Sequence, residues 1–287
     1  MLFLIGSIIL SSWLILSFKL VERFGINTFQ AIVFNYITCV ITGSIVNGDT
    51  PFRQSLIHEN WFPWAILMGS MFISLFNLIG YTAQRSGISV TSVAYKLSLV
   101  IPFILSIFLY DEKVTFLKVM GLVSCIPAIY LVNRRQENAI PGFGLAILPI
   151  ILFIGSGLLD SLIKYTEQRF LDGNNNDEFL ITAFGAAATI GIFIMIIQLI
   201  AGKTYLSWKA VLAGIAIGIP NYFSIWCLVN VLKKFEGNSS AIIPVNNMAI
   251  VAFSTVVAAL LFKEKLSRTN WLGIIISLGA IALIAFG

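Results

Sequence analysis

Ten apolar runs, each about 17 to 25 residues long, fill most of the chain, and stretches of that length cross a hydrocarbon core as α-helices. They are Leu2–Val21, Thr28–Val46, Trp61–Ala83, Ile88–Tyr110, Val114–Val132, Phe143–Tyr165, Phe179–Ala201, Trp208–Val231, Ser239–Phe262 and Trp271–Phe286. Only 11% of the residues are charged against 58% hydrophobic, too little charge for the surface of a soluble domain of this length. The fold class expected is therefore an all-α polytopic membrane protein. The connections are short and polar, leaving no room for a soluble domain. The longest are Asn47–Asn60 and Thr166–Glu178, the second holding the turn-forming tract Asp172-Gly173-Asn174-Asn175-Asn176-Asp177.

Trp61, Trp64, Trp208 and Trp271 stand at span ends, where an indole bridges apolar and wet regions. The net charge is +5, and the basic residues come one to three at a time between apolar blocks. They read as topology signals and headgroup contacts, with no case for nucleic acid. Cys39, Cys125 and Cys227 lie inside apolar runs, without a CxxC spacing and away from the lone His58, and read as small buried hydrophobes. The apolar opening Leu2–Phe18 lacks a basic leader and is expected to be a retained first span.

The second half of the sequence echoes the first. Aligned without a gap, Glu112-Lys113 falls on Glu264-Lys265 and Gly121 on Gly273. Gly6-Ser7, Leu10 and Ser12 match Gly155-Ser156, Leu159 and Ser161, and Gly87 matches Gly237. The division is residues 1–137 and 138–287, with five spans in each half. Because five is odd, the second half enters the membrane from the opposite side, giving ten transmembrane helices as two inverted five-helix repeats. Lysine and arginine near the span ends number about 10 on one side against about 7 on the other, a bias too small to fix orientation. Taken literally, it puts both termini outside.

The residue least suited to lipid is Lys96, in the fourth run. An ammonium at that depth costs several kcal/mol unless it faces a partner or water. Thr91, Tyr95, Ser98, Pro102 and Ser106 follow helical spacing beside it, and Pro102 removes one backbone hydrogen bond, so a bent helix lining a cavity is expected. A lysine snorkelling to the nearer interface is the competing reading. The ninth run repeats the stripe as Ser240, Pro244, Asn247 and Ser254, with Asn246 alongside and Met248 in the position of Lys96. Those amides either join helices or meet a substrate. Asp160 stands four residues before Lys164, as a structural ion pair or as a protonatable coupling site. Asn35, Tyr36, Asn77, Tyr81, Asn221, Tyr222 and Trp226 are further polar groups within spans, each an interhelical contact or a ligand. Pro220 marks a second kink, and Gly185-Ala186-Ala187-Ala188 and Gly214 with Gly218 offer close helix approach.

No run carries paired carboxylates at metal-binding spacing, no histidine lies in an apolar run, and no GxxxxGK[ST] loop exists, so ATP-driven transport on this chain is excluded. The features that remain are two five-span halves, each with the turn Asp111-Glu112-Lys113-Val114-Thr115 or Lys263-Glu264-Lys265-Leu266-Ser267 before a last helix with an early Gly121 or Gly273. In these the chain resembles the drug/metabolite transporter superfamily, in its EamA-type ten-span branch. The resemblance implies a secondary transporter in the inner membrane with both termini cytoplasmic, and a central cavity lined by the third, fourth, eighth and ninth spans. The first span has no acidic residue at its middle, so the glutamate coupling of small multidrug-resistance relatives does not carry over.

The reading that follows is a metabolite exporter working by alternating access and driven by an ion gradient or by exchange. Lys96, Tyr95, Asn246, Asn247, Asn221, Asn77, Tyr81 and Trp226 would bind substrate, and Asp160 would couple. Lys96 would hold a carboxylate or phosphate of the substrate, or pair with Asp160. The partners expected are a small-molecule substrate, membrane lipid and H+ or Na+, with the chain as monomer or homodimer and with no metal, cofactor or catalytic residue. A passive channel-like permease and a membrane enzyme acting on lipid headgroups are the alternatives.

Overall fold

Runs of hydrocarbon length become helices close to the limits the hydropathy sets. The computed structural model describes residues 2–48, 54–102, 104–105, 115–133, 143–171, 175–234, 239–263 and 266–286. Among them are α1 (Leu2–Arg23), α2 (Thr28–Asn47), α3 (Phe62–Ser86), α4 (Ile88–Leu97), α5 (Phe116–Asn133), α6 (Phe143–Phe170), α7 (Asn176–Ile200), α8 (Trp208–Lys234), α9 (Ser239–Leu261) and α10 (Arg268–Phe286), with one 3-10 turn at Gln54–His58. Five helices, α1, α2, α3, α7 and α8, are long and apolar enough to cross a membrane, and the other five carry shorter apolar stretches. The chain is a helical membrane protein. Ser106, Glu112-Lys113, Gly237, Glu264-Lys265 and Asp172-Gly173-Asn174 lie outside the described residues, as do the side chains of Lys164, Ser240 and Pro244.

The helices gather into two compact units that do not follow the 1–137 and 138–287 division. The first comprises Met1–Lys19, Ile79–Leu158 and Phe223–Gly287, and the second Leu20–Leu78 and Leu159–Tyr222. Each therefore draws residues from both halves of the sequence.

The core of the first unit is a layer of apolar side chains from α4, α5, α9 and α10, among them Leu97, Val100, Cys125, Val251, Ile274 and Ile281. α5 and α10 run antiparallel along each other. Asn270 Nδ2 near the start of α10 donates to the Leu131 carbonyl near the end of α5 at 3.2 Å. At the other end, a Cβ on Gly121 would lie 2.8 Å from the Ala280 carbonyl oxygen, so only glycine admits this approach. α10 starts on a reciprocal cap, with the Ser267 amide donating to Asn270 Oδ1 at 2.9 Å and the Asn270 amide to Ser267 Oγ at 3.1 Å. α1 and the end of α3 are tied by Lys19 Nζ donating to the Gln84 carbonyl at 3.0 Å and Gln84 Nε2 donating to the Phe18 carbonyl at 3.1 Å.

In the second unit α2 and α7 are also antiparallel, with Gly43 against Ile181 and Gly191 against Val33. Tyr36 packs among Phe72, Phe76 and Phe184, joining α2, α3 and α7. Gly214 and Gly218, one turn apart on α8, lie against Phe34, Asn35 and Thr38 of α2, as the small-residue spacing anticipates. The Gly185-Ala186-Ala187-Ala188 tract likewise meets a neighbour closely: Gly69 of α3 lies against Ala183, Ala186 and Ala187, whereas an added Cβ at Gly185 itself meets nothing within 4 Å. Trp61, just before α3, is 1% exposed and stands edge-on to Phe179 with ring centroids 5.8 Å apart.

Candidate functional site

The site begins with an interruption in α4. The sequence predicts one helix over Ile88–Tyr110, but the regular helix ends at Leu97, with a turn at Ser98 and Leu99 before helical residues resume at Val100. The cause is Pro102. Proline has no amide hydrogen to give to the carbonyl four residues back, and its ring clashes with it. That carbonyl is Ser98's, and it takes the Ile101 amide instead at 2.9 Å, a tighter 3-10 bond. The bend thus falls one turn before the proline, directly after Lys96.

Lys96 consequently sits in the last turn of a helix that stops inside the apolar layer, where the terminal carbonyls collect partial negative charge. Its ammonium lies 4.3 Å from the ring centroid of Tyr95, a cation–π distance. Both residues are half-buried. The hydroxyls of the expected stripe turn inward on their own helix. Thr91 Oγ1 donates to the Gly87 carbonyl at 2.7 Å, Ser92 Oγ to the Ser89 carbonyl at 3.1 Å, and Ser98 Oγ to the Tyr95 carbonyl.

Polar groups of another kind lie on the neighbouring helices of the same unit. Ile15 and Leu16 of α1, Ile88 of α4, and Ile250 and Ala258 of α9 form one buried cluster, with Ile8 and Tyr95 packed against it. Ser12 lies one turn from both Ile8 and Leu16, and Asn246 one turn before Ile250, so both belong to the faces that meet there. Ser12 is fully buried and Asn246 2% exposed, yet neither Ser12 Oγ nor Asn246 Oδ1 has a hydrogen-bond partner among the described residues. Ser7 and Ser156 are likewise buried with unpartnered hydroxyls. An unsatisfied buried polar atom costs about 1–3 kcal/mol, so Ser12 and Asn246 are the buried groups on these faces that gain from a further hydrogen-bonding partner.

The remaining candidates of this unit are arranged differently. Asn247 is half-buried beside Met248, which packs on the cluster around Leu97. Tyr81 is 47% exposed with the Arg85 guanidinium 5.5 Å from its ring centre. Trp226 stands edge-on to Phe3 and Phe223 at 5.5 and 6.1 Å.

In the second unit Asn77 donates its amide to the Ile73 carbonyl of its own helix at 2.7 Å, and Asp160 is half-buried on α6. Asn221 is an interhelical contact. Its Nδ2 donates to Asn35 Oδ1 at 3.1 Å, joining α8 to α2, while Cys39 Sγ donates to the Gly218 carbonyl at 3.4 Å. Asn35 is fully buried and its own Nδ2 has no partner among the described residues. Asn221→Leu is expected to destabilise by about 1–3 kcal/mol, since it strips the amide donor from a buried acceptor. The Asn35→Leu/Asn221→Leu pair should recover part of that loss, and a double-mutant cycle on thermal unfolding in detergent measures the difference.

Sequence reasoning reached Lys96, Tyr95 and Asn246 but passed over Ser7, Ser12 and Ser156 as site residues. A signal existed, because Gly6-Ser7 and Gly155-Ser156 occupy matched positions in the two halves.

No family model matches the chain. It is 27% identical over 269 residues to an uncharacterized protein of Haemophilus influenzae, an alignment covering 92% of this chain and 90% of that protein. A protein of known crystal structure matches the backbone with a TM-score of 0.66 over 98% of this chain and 94% of its own, at 16% identity, which is a likeness of fold.

Proposed function

We propose that this chain is a secondary transporter of the EamA-type branch of the drug/metabolite superfamily, exporting a small anionic metabolite across the inner membrane by alternating access. The observation that carries the reading is the pair of buried oxygens on Ser12 and Asn246, without a partner among the described residues, at the packing faces shared with the interrupted α4, whose last turn holds Lys96. A protein whose interior served packing alone would satisfy those groups or replace them with apolar ones. Lys96 supplies the positive charge for a carboxylate or phosphate, and Tyr95, Asn246 and Ser12 supply oriented hydrogen bonds. The antiparallel packing of α5 on α10 and of α2 on α7 supports the inverted repeat, because each pair joins helices of matching position in the two halves.

The test is a metabolite screen by thermal shift on purified protein, followed by transport of the hits in proteoliposomes. Accumulation of a hit against its gradient, driven by imposed H+ or Na+ or by counter-substrate, is the expected result. Flux that only equilibrates points to a passive permease, and hits that bind without crossing overturn the transporter reading.

A further inference from the structure

Two loops of the second unit are fastened together. α1 ends in a turn closed by Gly25 (φ 63), with the Ile26 amide on the Val21 carbonyl, and α7 ends the same way at Gly202 (φ 65), with the Lys203 amide on the Gln198 carbonyl. These are left-handed positions that favour glycine and reverse the chain within a few residues. The two turns are then joined by one buried side chain. Gln30 Nε2 donates to Thr204 Oγ1 at 3.0 Å and to the Tyr205 carbonyl at 2.9 Å, and Gln30 Oε1 accepts the Ser207 amide at 3.2 Å. Asn27 Nδ2 reaches the same Thr204 hydroxyl at 3.3 Å. Both ends of the Gln30 side-chain amide are thus engaged in holding residues 204–207 in place.

What this rigid pair of turns presents outward is both basic and aromatic. Tyr205 is 86% exposed, Trp208 73%, Phe24 65% and Leu206 60%. Arg23, Lys203 and Lys209 are exposed among them, against one carboxylate, Glu22, in the same two stretches. Arg23 and Lys203 could be explained as cations at helix C-termini, where the dipole favours them, but Lys209 cannot. It stands in the first turn of α8, where a positive charge is disfavoured and no acidic residue offsets it. Exposed indole, phenol and aliphatic groups interleaved with cations are the side chains that suit the boundary between acyl chains and anionic headgroups.

We propose that these turns form a binding site for the headgroup of an anionic phospholipid. Arg23, Lys203 and Lys209 contact the phosphate, and Phe24, Tyr205, Leu206 and Trp208 seat at acyl-chain level. The site is separate from the transport reading and stands or falls without it.

The experiment uses full-length protein in mixed micelles carrying phosphatidylglycerol or phosphatidylcholine, read by thermal unfolding and by retained lipid in native mass spectrometry. Phosphatidylglycerol should raise the melting temperature of the wild type more than phosphatidylcholine does. The triple variant Arg23→Gln/Lys203→Gln/Lys209→Gln should lose that selectivity, with affinity falling about fivefold per cation removed and roughly a hundredfold for all three. As a second measure, brominated phosphatidylglycerol should quench wild-type tryptophan emission more than brominated phosphatidylcholine does, and Trp208→Phe should remove the excess. Equal selectivity in wild type and triple variant overturns the proposal, and so does a stabilisation that glycerol phosphate alone reproduces.

Discussion

On the transporter reading proposed above, Lys96→Met should leave a folded protein that moves its substrate at least about thirtyfold more slowly at low substrate concentration. The estimate takes the loss of one desolvated charge contact as no less than about 2 kcal/mol. Methionine is the appropriate replacement because Met248 holds the matched position in the second half and packs there on the cluster around Leu97. Lys96→Arg keeps the charge but spreads it over a planar fork, and should retain part of the activity with a raised KM. The readouts are size-exclusion profile for fold and initial rates in proteoliposomes for function. If Lys96→Met transports as the wild type does, the ammonium is not the anion site, and its place beside Tyr95 at the end of α4 would be structural.

Gly69→Ala and Gly185→Ala should move the melting temperature in opposite directions although they make the same chemical change. In an open helical position, alanine gains roughly 0.8–1 kcal/mol over glycine through backbone entropy. Gly185 is such a position, with nothing within 4 Å of an added Cβ. At Gly69 that carbon would stand 2.5 Å from the Ala183 carbonyl oxygen, 2.6 Å from Ala186 Cβ and 2.9 Å from the Ala187 amide nitrogen. None of these can swing aside, so α3 and α7 must separate, which costs about 1–3 kcal/mol or more. Thermal unfolding in one detergent measures both variants. Equal shifts would mean that the approach of α3 to α7 at this point is looser than described.

The helices were legible because lipid imposes a length and a polarity on each span, and hydropathy records both. Their starts at Thr28, Ile88 and Trp208 are those the apolar runs predict. Less legible was anything set by a partner remote in sequence. Pro102 announces a bend, but only the competition for the Ser98 carbonyl decides that the helix stops at Leu97. Gly185 and Gly69 are both glycines in apolar helices, and which one touches a neighbour depends on the face it occupies. The serines give the sharpest case. Thr38, Thr91 and Ser92 return their hydroxyls to their own helix, as such residues in apolar helices generally do, whereas Ser7, Ser12 and Ser156 are buried with no partner among the described residues. Sequence alone does not distinguish the two behaviours, because rotamer and neighbour decide between them. The amide bond from Asn221 to Asn35 was likewise beyond a local pattern, although both residues stood out as polar groups in apolar runs.

The partition into units has a consequence for biosynthesis. Since α5 closes against α10 and α2 against α7, the half that leaves the ribosome first can complete neither bundle by itself. In the first half alone, the faces of α2 at Gly43 and of α5 at Gly121 lack the Ile181 and Ala280 neighbours that they meet in the whole chain. A gene severed between residues 137 and 138 should accordingly yield two fragments that are degraded when expressed singly and protected when made together.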